Sequence, residues 1–345
     1  MKNFAQTLFK ELTSYMKYNV LLNDPKQDSK SRNIFFIMNS VYLGFFISFL
    51  YGFIISLISY IFLRNSFYQY LHDFFIGFNC FITGGLLFGL TYQIYKTQEY
   101  IPNLLSRVFG ETKLAENKIF HRHKTTYFSI KSSMRIVTIH IILSFLLFYF
   151  ARFPYENKFL ESTMIIYGCA MYGCAVYIGR KIFYVAQMLQ SIEDIEFNED
   201  LFSDNKLEGI STYINVVTTF TVLAVWFQVN SYYHGPFKYS SELGQAVKIF
   251  MFYLAIIAMP VLIVFNYYPK TLLRKLYTKS IDIKIEILNK ELSSKENISE
   301  FEKIKYLSEK DKISRDELKY QLRLAINDLP LIITIIIMLA DLALK

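Results

Sequence analysis

The sequence predicts an all-α fold, a polytopic integral membrane helical bundle of six clear spans plus a seventh C-terminal one, with a cytoplasmic helical module. Three observations predict it. Six long stretches are almost free of charge. Lys and Arg are alternately dense and sparse in the segments that join them. After the sixth stretch the chain turns charged, with apolar residues at helical spacing. Hydrophobic residues make up 53% of the chain and the mean hydropathy is positive.

Residues 1–33 predict an N-terminal amphipathic helix on the cytoplasmic side. Phe4, Leu8, Leu12 and Tyr15 form a stripe with Lys10, Glu11 and Lys17 between them. This pattern differs from the continuous apolar core of a signal peptide. Such a helix lies either on the inner membrane surface or against the protein's own cytoplasmic side.

Residues 34–268 form the predicted six-span domain. A bilayer core about 30 Å thick needs roughly 20 mostly apolar residues in a helix. Residues 34–63, 74–95, 136–151, 162–179, 210–233 and 249–268 meet or approach that length. The segments at 1–33, 96–135, 180–209 and 270–328 together hold 31 Lys and Arg, against 5 in the three intervening ones. The positive-inside rule makes the dense side cytoplasmic and puts the N-terminus inside a cell membrane. The formal charge of +8 then reflects topology, and no nucleic-acid partner is expected.

Ionisable groups within lipid are costly and often functional. His140 is the clear case, in the third span, either as an intramembrane polar site of a permeation path or as a neutral imidazole bonded to a neighbouring helix. Gly85 and Gly89 form a GxxxG, and Cys169 and Gly173 repeat the small-xxx-small spacing. These four are the candidate helix-packing residues, within the chain or at an oligomer seam. Cys80, Cys169 and Cys174 all fall in spans, with no disulfide or zinc spacing. Pro260 lies inside the sixth span. Aromatics around His234-Gly235-Pro236 form an outer interfacial belt or an external ligand site.

On the inner side, residues 96–135 are basic and include His121-Arg122-His123-Lys124, a juxtamembrane stretch suited to anionic headgroups. The segment from Glu193 to Glu208 is acidic without the EF-hand pattern, so pairing with neighbouring basic residues is expected. Residues 269–328 predict a cytoplasmic module of three helices. Ile281, Ile285, Leu288 and Leu292 mark the first, Ser299 with Glu302 caps the second, and Ser314 with Glu317 caps the third, which carries Leu318, Leu322, Ala325 and Leu329. Residues 329–345 predict a membrane-embedded C-terminal helix that begins at Pro330 and puts the C-terminus outside. Its 16 residues from Leu329 to Leu344 give about 24 Å of helix, slightly short for a crossing.

An odd number of spans, an inside N-terminus, short outer loops and charged helices leading into the last span resemble the ground plan of insect olfactory-receptor channels. The resemblance is one of topology over most of the chain, and it implies an oligomeric cation channel. That family's last-span signature, a Thr-Tyr pair leading an apolar run to a Gln, is absent from residues 330–345. No site residue is carried over.

No catalytic, nucleotide-binding, cofactor or metal motif is present in the sequence, and no enzymatic activity is expected. The expected function is a self-associating channel or pore-type protein, a homo-oligomer in the bilayer gated by its cytoplasmic helices. Thr334 and Asp341 would be the polar marks of a pore-lining last helix, with Asp341 favouring cations. The alternatives are a membrane-anchored signalling or scaffold protein that docks a cytoplasmic partner, and, behind it, a secondary transporter.

Overall fold

The computed structural model describes residues 30–64, 67–77, 79–151, 157–193, 195, 208–234, 242–293 and 300–343. All of the described elements are helices: α1 (Lys30–Leu63), α2 (Phe67–His72), a π-helical turn (Asp73–Gly77), α3 (Cys80–Lys96), α4 (Tyr100–Phe109), α5 (Glu111–Glu116), α6 (Lys118–Phe128), α7 (Ile130–Ala151), α8 (Lys158–Ser191), α9 (Glu208–His234), α10 (Glu242–Ser293) and α11 (Glu300–Ala343). All but the last four residues of the amphipathic helix expected in residues 1–33 and most of the acidic segment lie outside the described residues, as do the side chains around His234-Gly235-Pro236.

Among the described residues, four helical segments are long and apolar enough to cross a membrane: Ser40–Leu63, Ile130–Leu147, Lys158–Ser191 and Gly209–Gln228. A bent pair, Phe67–Phe75 with Cys80–Ser106, brings the number to five if it is one broken span. This is fewer than the six or seven that the apolar runs predict. The second run is interrupted by the π turn and by Asn79, which adopts the left-handed conformation (φ 48°) just before α3. The sixth run sits inside α10 and the last inside α11, helices of 52 and 44 residues in which many side chains of these two runs lie outside the described residues.

Within the bundle, α9 is central, with 72% of its apolar window buried, and α7 is peripheral, with 17%. Phe46, Phe53, Tyr60 and Ile61 on α1 and Ile139, Ile142, Leu143 and Tyr149 on α7 are exposed. Unbroken apolar faces of this extent are what hydrocarbon, rather than water, covers.

The first core is built from α1, α3, α8 and α9, around Leu86, Leu90, Tyr167, Ile178 and Phe220. Helices α1 and α3 approach so closely that a methyl on Gly44 would overlap the Gly85 carbonyl oxygen. One on Gly89 would come within 2.8 Å of the Ser40 carbonyl oxygen and of Val41 Cα. In lipid, where apolar surface gains little from leaving the solvent, such backbone approach supplies the dispersion contacts that hold helices together.

A second core lies beyond it. Ile101, Leu105 and Phe109 of α4 and Phe120 and Tyr127 of α6 pack on Val185, Met188 and Leu189 of α8, Ile210 and Ile214 of α9, and Leu272, Leu273 and Leu276 of α10. Residues 96–135 are thus a helical layer closing the bundle at one end, rather than a basic loop. Ile101, Leu105 and Phe109 recur every four residues and explain why this segment folds onto the bundle.

The module predicted at 269–328 has a different construction. Helix α10 runs through Pro269 without a boundary, and α11 runs through both Ser314 and Pro330. Two helices replace the three expected. Ser314 caps nothing: its hydroxyl donates to the Lys310 carbonyl one turn back, at 3.1 Å. The two helices are antiparallel, because Lys270 meets Asp328, Lys284 feels Asp316, and the Tyr306 hydroxyl donates to Glu291 at 3.3 Å. Between Leu288 and Leu292 on α10 and Tyr306 and Leu307 on α11 lies an open crevice of about 420 Å³.

Candidate functional site

The strongest concentration of buried polar chemistry lies where α9, α10 and α11 meet. The Lys270 ammonium donates to the Asp328 carboxylate and to the side-chain oxygen of Asn215. Asn266, one turn before Lys270, donates to the same Asn215 oxygen at 3.2 Å, and the Asn215 amide donates to Asp328 at 3.3 Å. The side chains of Lys270 and Asp328 are 3% and 18% exposed. Burial pushes the Lys270 ammonium below its ordinary range, the Asp328 carboxylate pulls it back up, and nearby Arg274 adds a smaller downward push. A buried ion pair of this kind gains little over an apolar contact, but breaking one side of it is costly. It therefore joins the charged α10–α11 hairpin to the central helix in one defined register.

The sequence hides this network. Asn215 is a neutral amide within an apolar run, and Lys270 and Asp328 read as the ordinary charged flanks of two membrane segments. They are 55 to 113 residues apart, so only the antiparallel return of α11 brings them together. The one available signal is that each charged residue lies within two positions of a proline, Pro269 or Pro330, that the helix passes through.

A second group of buried charge sits at the end of α8. Lys181 donates to the Tyr127 carbonyl in the last turn of α6, and its ammonium lies 4.3 Å from the Tyr127 ring centroid and 5.3 Å from that of Tyr177. The negative end of a helix and two aromatic faces both favour a cation there. Next to it, Arg180 donates from Nη2 to the Ser132 hydroxyl at 2.5 Å and lies over the Tyr184 ring at 5.2 Å. Its Nε and Nη1 are buried and have no partner among the described residues.

The predicted site residues are distributed over several contacts. His140, half-buried on α7, donates from Nδ1 to the Ile136 carbonyl of its own helix at 2.9 Å, and its ring lies 6.2 Å from that of Tyr172 on α8. The bond expected to a neighbouring helix is replaced by a ring contact. Thr334 is 6% exposed on α11, on the side that Leu331 packs against Val222 and Trp226. Asp341 falls in the last turn of α11, with its side chain outside the described residues. His140 and Thr334 thus occupy separate helix contacts.

Gly85 and Gly89 line the close α1–α3 contact, and a methyl on Gly173 would meet Ile141 of α7 at 3.0 Å. Cys169 is buried on α8 in the first core. All four therefore pack helices within the chain. Glu193 pairs with Lys275 at 3.2 Å and accepts Lys279 on its carbonyl at 2.8 Å, while the side chains of the other acidic residues of that segment lie outside the described residues. Among the described residues no group of three or more His, Cys, Asp and Glu is placed to hold a metal ion. No family model, no curated protein and no solved structure matches this chain, so its function has to be argued from its own residues.

Proposed function

We propose that this chain is a self-associating membrane protein that forms or gates a permeation path, with the α10–α11 hairpin as its control element. One observation carries the proposal. Leu318, Leu322, Leu329, Ile332 and Ile336 of α11 step by 4, 7, 3 and 4 along one helix face and are exposed by 60, 54, 48, 47 and 58%. The stripe runs from the charged half of the helix into its apolar end. Lipid covers the apolar end, but Leu318 and Leu322 stand among Glu317, Lys319 and Arg323, where water is the solvent. A second copy presenting the same stripe covers both regions at once.

In this arrangement the α11 helices gather about a common axis, and Asp341 near their ends attracts cations. The Lys270–Asp328 network holds each hairpin to its own α9, so a movement of the hairpin reaches the central span. The scaffold alternative rests on the same hairpin, whose crevice and charged faces suit a docking partner.

Oligomeric state by native mass spectrometry, followed by recordings in planar bilayers, tests the proposal. The expected result is an oligomer that conducts, that becomes a silent monomer on Leu318→Glu with Leu322→Glu, and whose cation preference reverses with Asp341→Lys. A monomeric wild-type protein that passes no current would remove the channel and leave the scaffold.

A further inference from the structure

We propose that Arg180, with Ser132 and the first turn of α7, binds the phosphate of an anionic phospholipid. The argument starts from charge. Arg180 and Lys181 are adjacent on α8, 9% and 4% exposed, and among the described residues neither makes an ion pair with a carboxylate. Lys181 is provided for by the Tyr127 carbonyl and two rings. Arg180 is not. One of its nitrogens reaches Ser132, and Nε and Nη1 are buried without a partner among the described residues. Buried charge is ordinarily paired, and guanidinium N–H groups donate well to the oxygens of a phosphate.

The surroundings select an anion and then a lipid. Ser132 lies in the first turn of α7, a 22-residue helix, where the macrodipole adds partial positive charge. Ser129 already caps that turn, accepting the Ser132 N–H at 3.2 Å, so the side chains of Ser132 and Arg180 define the rim of the site. Lys131 and Arg135 on α7 are exposed close by, as are Ile130, Met134 and Phe183. A free anion has no use for that apolar rim, whereas a phospholipid lays its acyl chains on it while its phosphate meets the guanidinium. The side is the one where Lys and Arg are dense, so the lipid belongs to the leaflet facing that side.

The full-length protein purified in neutral detergent supplies the test. Lipid binding is followed by native mass spectrometry and by thermal stability as phosphatidylglycerol or phosphatidylcholine is added. Phosphatidylglycerol should bind and stabilise the protein, phosphatidylcholine should do so much less, and Arg180→Gln should weaken phosphatidylglycerol binding roughly tenfold. Arg122→Gln, on the exposed face of α6, should leave it within about twofold. Inorganic phosphate at the same concentration should have no effect, and stabilisation by phosphate alone would reassign the site to a free anion and overturn the lipid. Equal losses in the Arg180 and Arg122 variants, or none in the Arg180 variant, would also overturn the proposal. If Arg180→Gln is not recovered folded, Ser132→Ala decides by the same comparison, with undiminished binding counting against the site.

Discussion

Lys270 on α10 and Asp328 on α11 form an ion pair at the level where both helices change from charged to apolar. Asn215 on the central helix bonds to both of them. Asp328→Asn or Lys270→Met alone leaves the other charge buried beside amides, and each is expected to destabilise the protein by about 2–4 kcal/mol. Lys270→Met with Asp328→Leu should recover most of that loss. Thermal unfolding in detergent, arranged as a double-mutant cycle, checks the pair, and additive losses would mean that the two residues are not coupled.

The glycines of two helices separate packing from backbone propensity. Gly44→Ala drives a methyl into the α3 backbone, which has no side-chain freedom with which to yield. A loss of at least about 2 kcal/mol is expected. Gly179, inside α8, has nothing within 4 Å of the place its methyl would take. Gly179→Ala should therefore stabilise by roughly 0.5–1 kcal/mol, since alanine is the better helix former. The same melting experiment measures both signs.

Trp226 is the single tryptophan and is packed between α9 and α11 with Val222 and Leu331. It is an internal reporter of whether α11 stays docked. Leu331→Ala should cost about 2–3 kcal/mol and shift the fluorescence of Trp226 to the red as the contact opens. An unchanged emission spectrum would count against the α9–α11 contact.

His123 on α6 gives a pH test outside the spans. Burial, and then the neighbouring Arg122 charge, hold its imidazole below the usual value of 6.5. Between that lowered value and 6.5 the unfolded chain binds more protons than the folded one, so stability falls as pH drops through this window. His123→Gln should lose less stability than wild type between pH 7 and pH 5, and the two should run parallel above pH 7. Parallel curves throughout would mean that His123 is solvated like a free imidazole.

The apolar runs at 34–63, 136–151, 162–179 and 210–233 were legible because hydrocarbon imposes one simple requirement, an unbroken helix with an apolar surface. The break before α3 was not, since it depends on a left-handed Asn79 whose side chain reaches the Phe227 carbonyl of α9 at 3.2 Å, a tertiary bond. Pro330 misled because it marks helix ends in water, yet α11 continues through it. Ser314 misled because Ser-x-x-Glu is short enough to arise by chance in a charged helix. In residues 96–135 the count of basic side chains obscured the apolar residues spaced four apart on α4. Of the candidate sites, the glycine contacts followed from spacing alone. The Asn215–Lys270–Asp328 network needed three distant segments to be brought together.

Helix α8 contributes Leu160 through Ile182 to the first core and Val185, Met188 and Leu189 to the second, with no loop between. It works as a push-rod of about 51 Å. Side chains interlocked at both ends do not slide by fractions, and the next comparable fit along a helix lies about a turn, roughly 5.4 Å, away. Any shift of α8 along its axis would therefore have to repack both cores together.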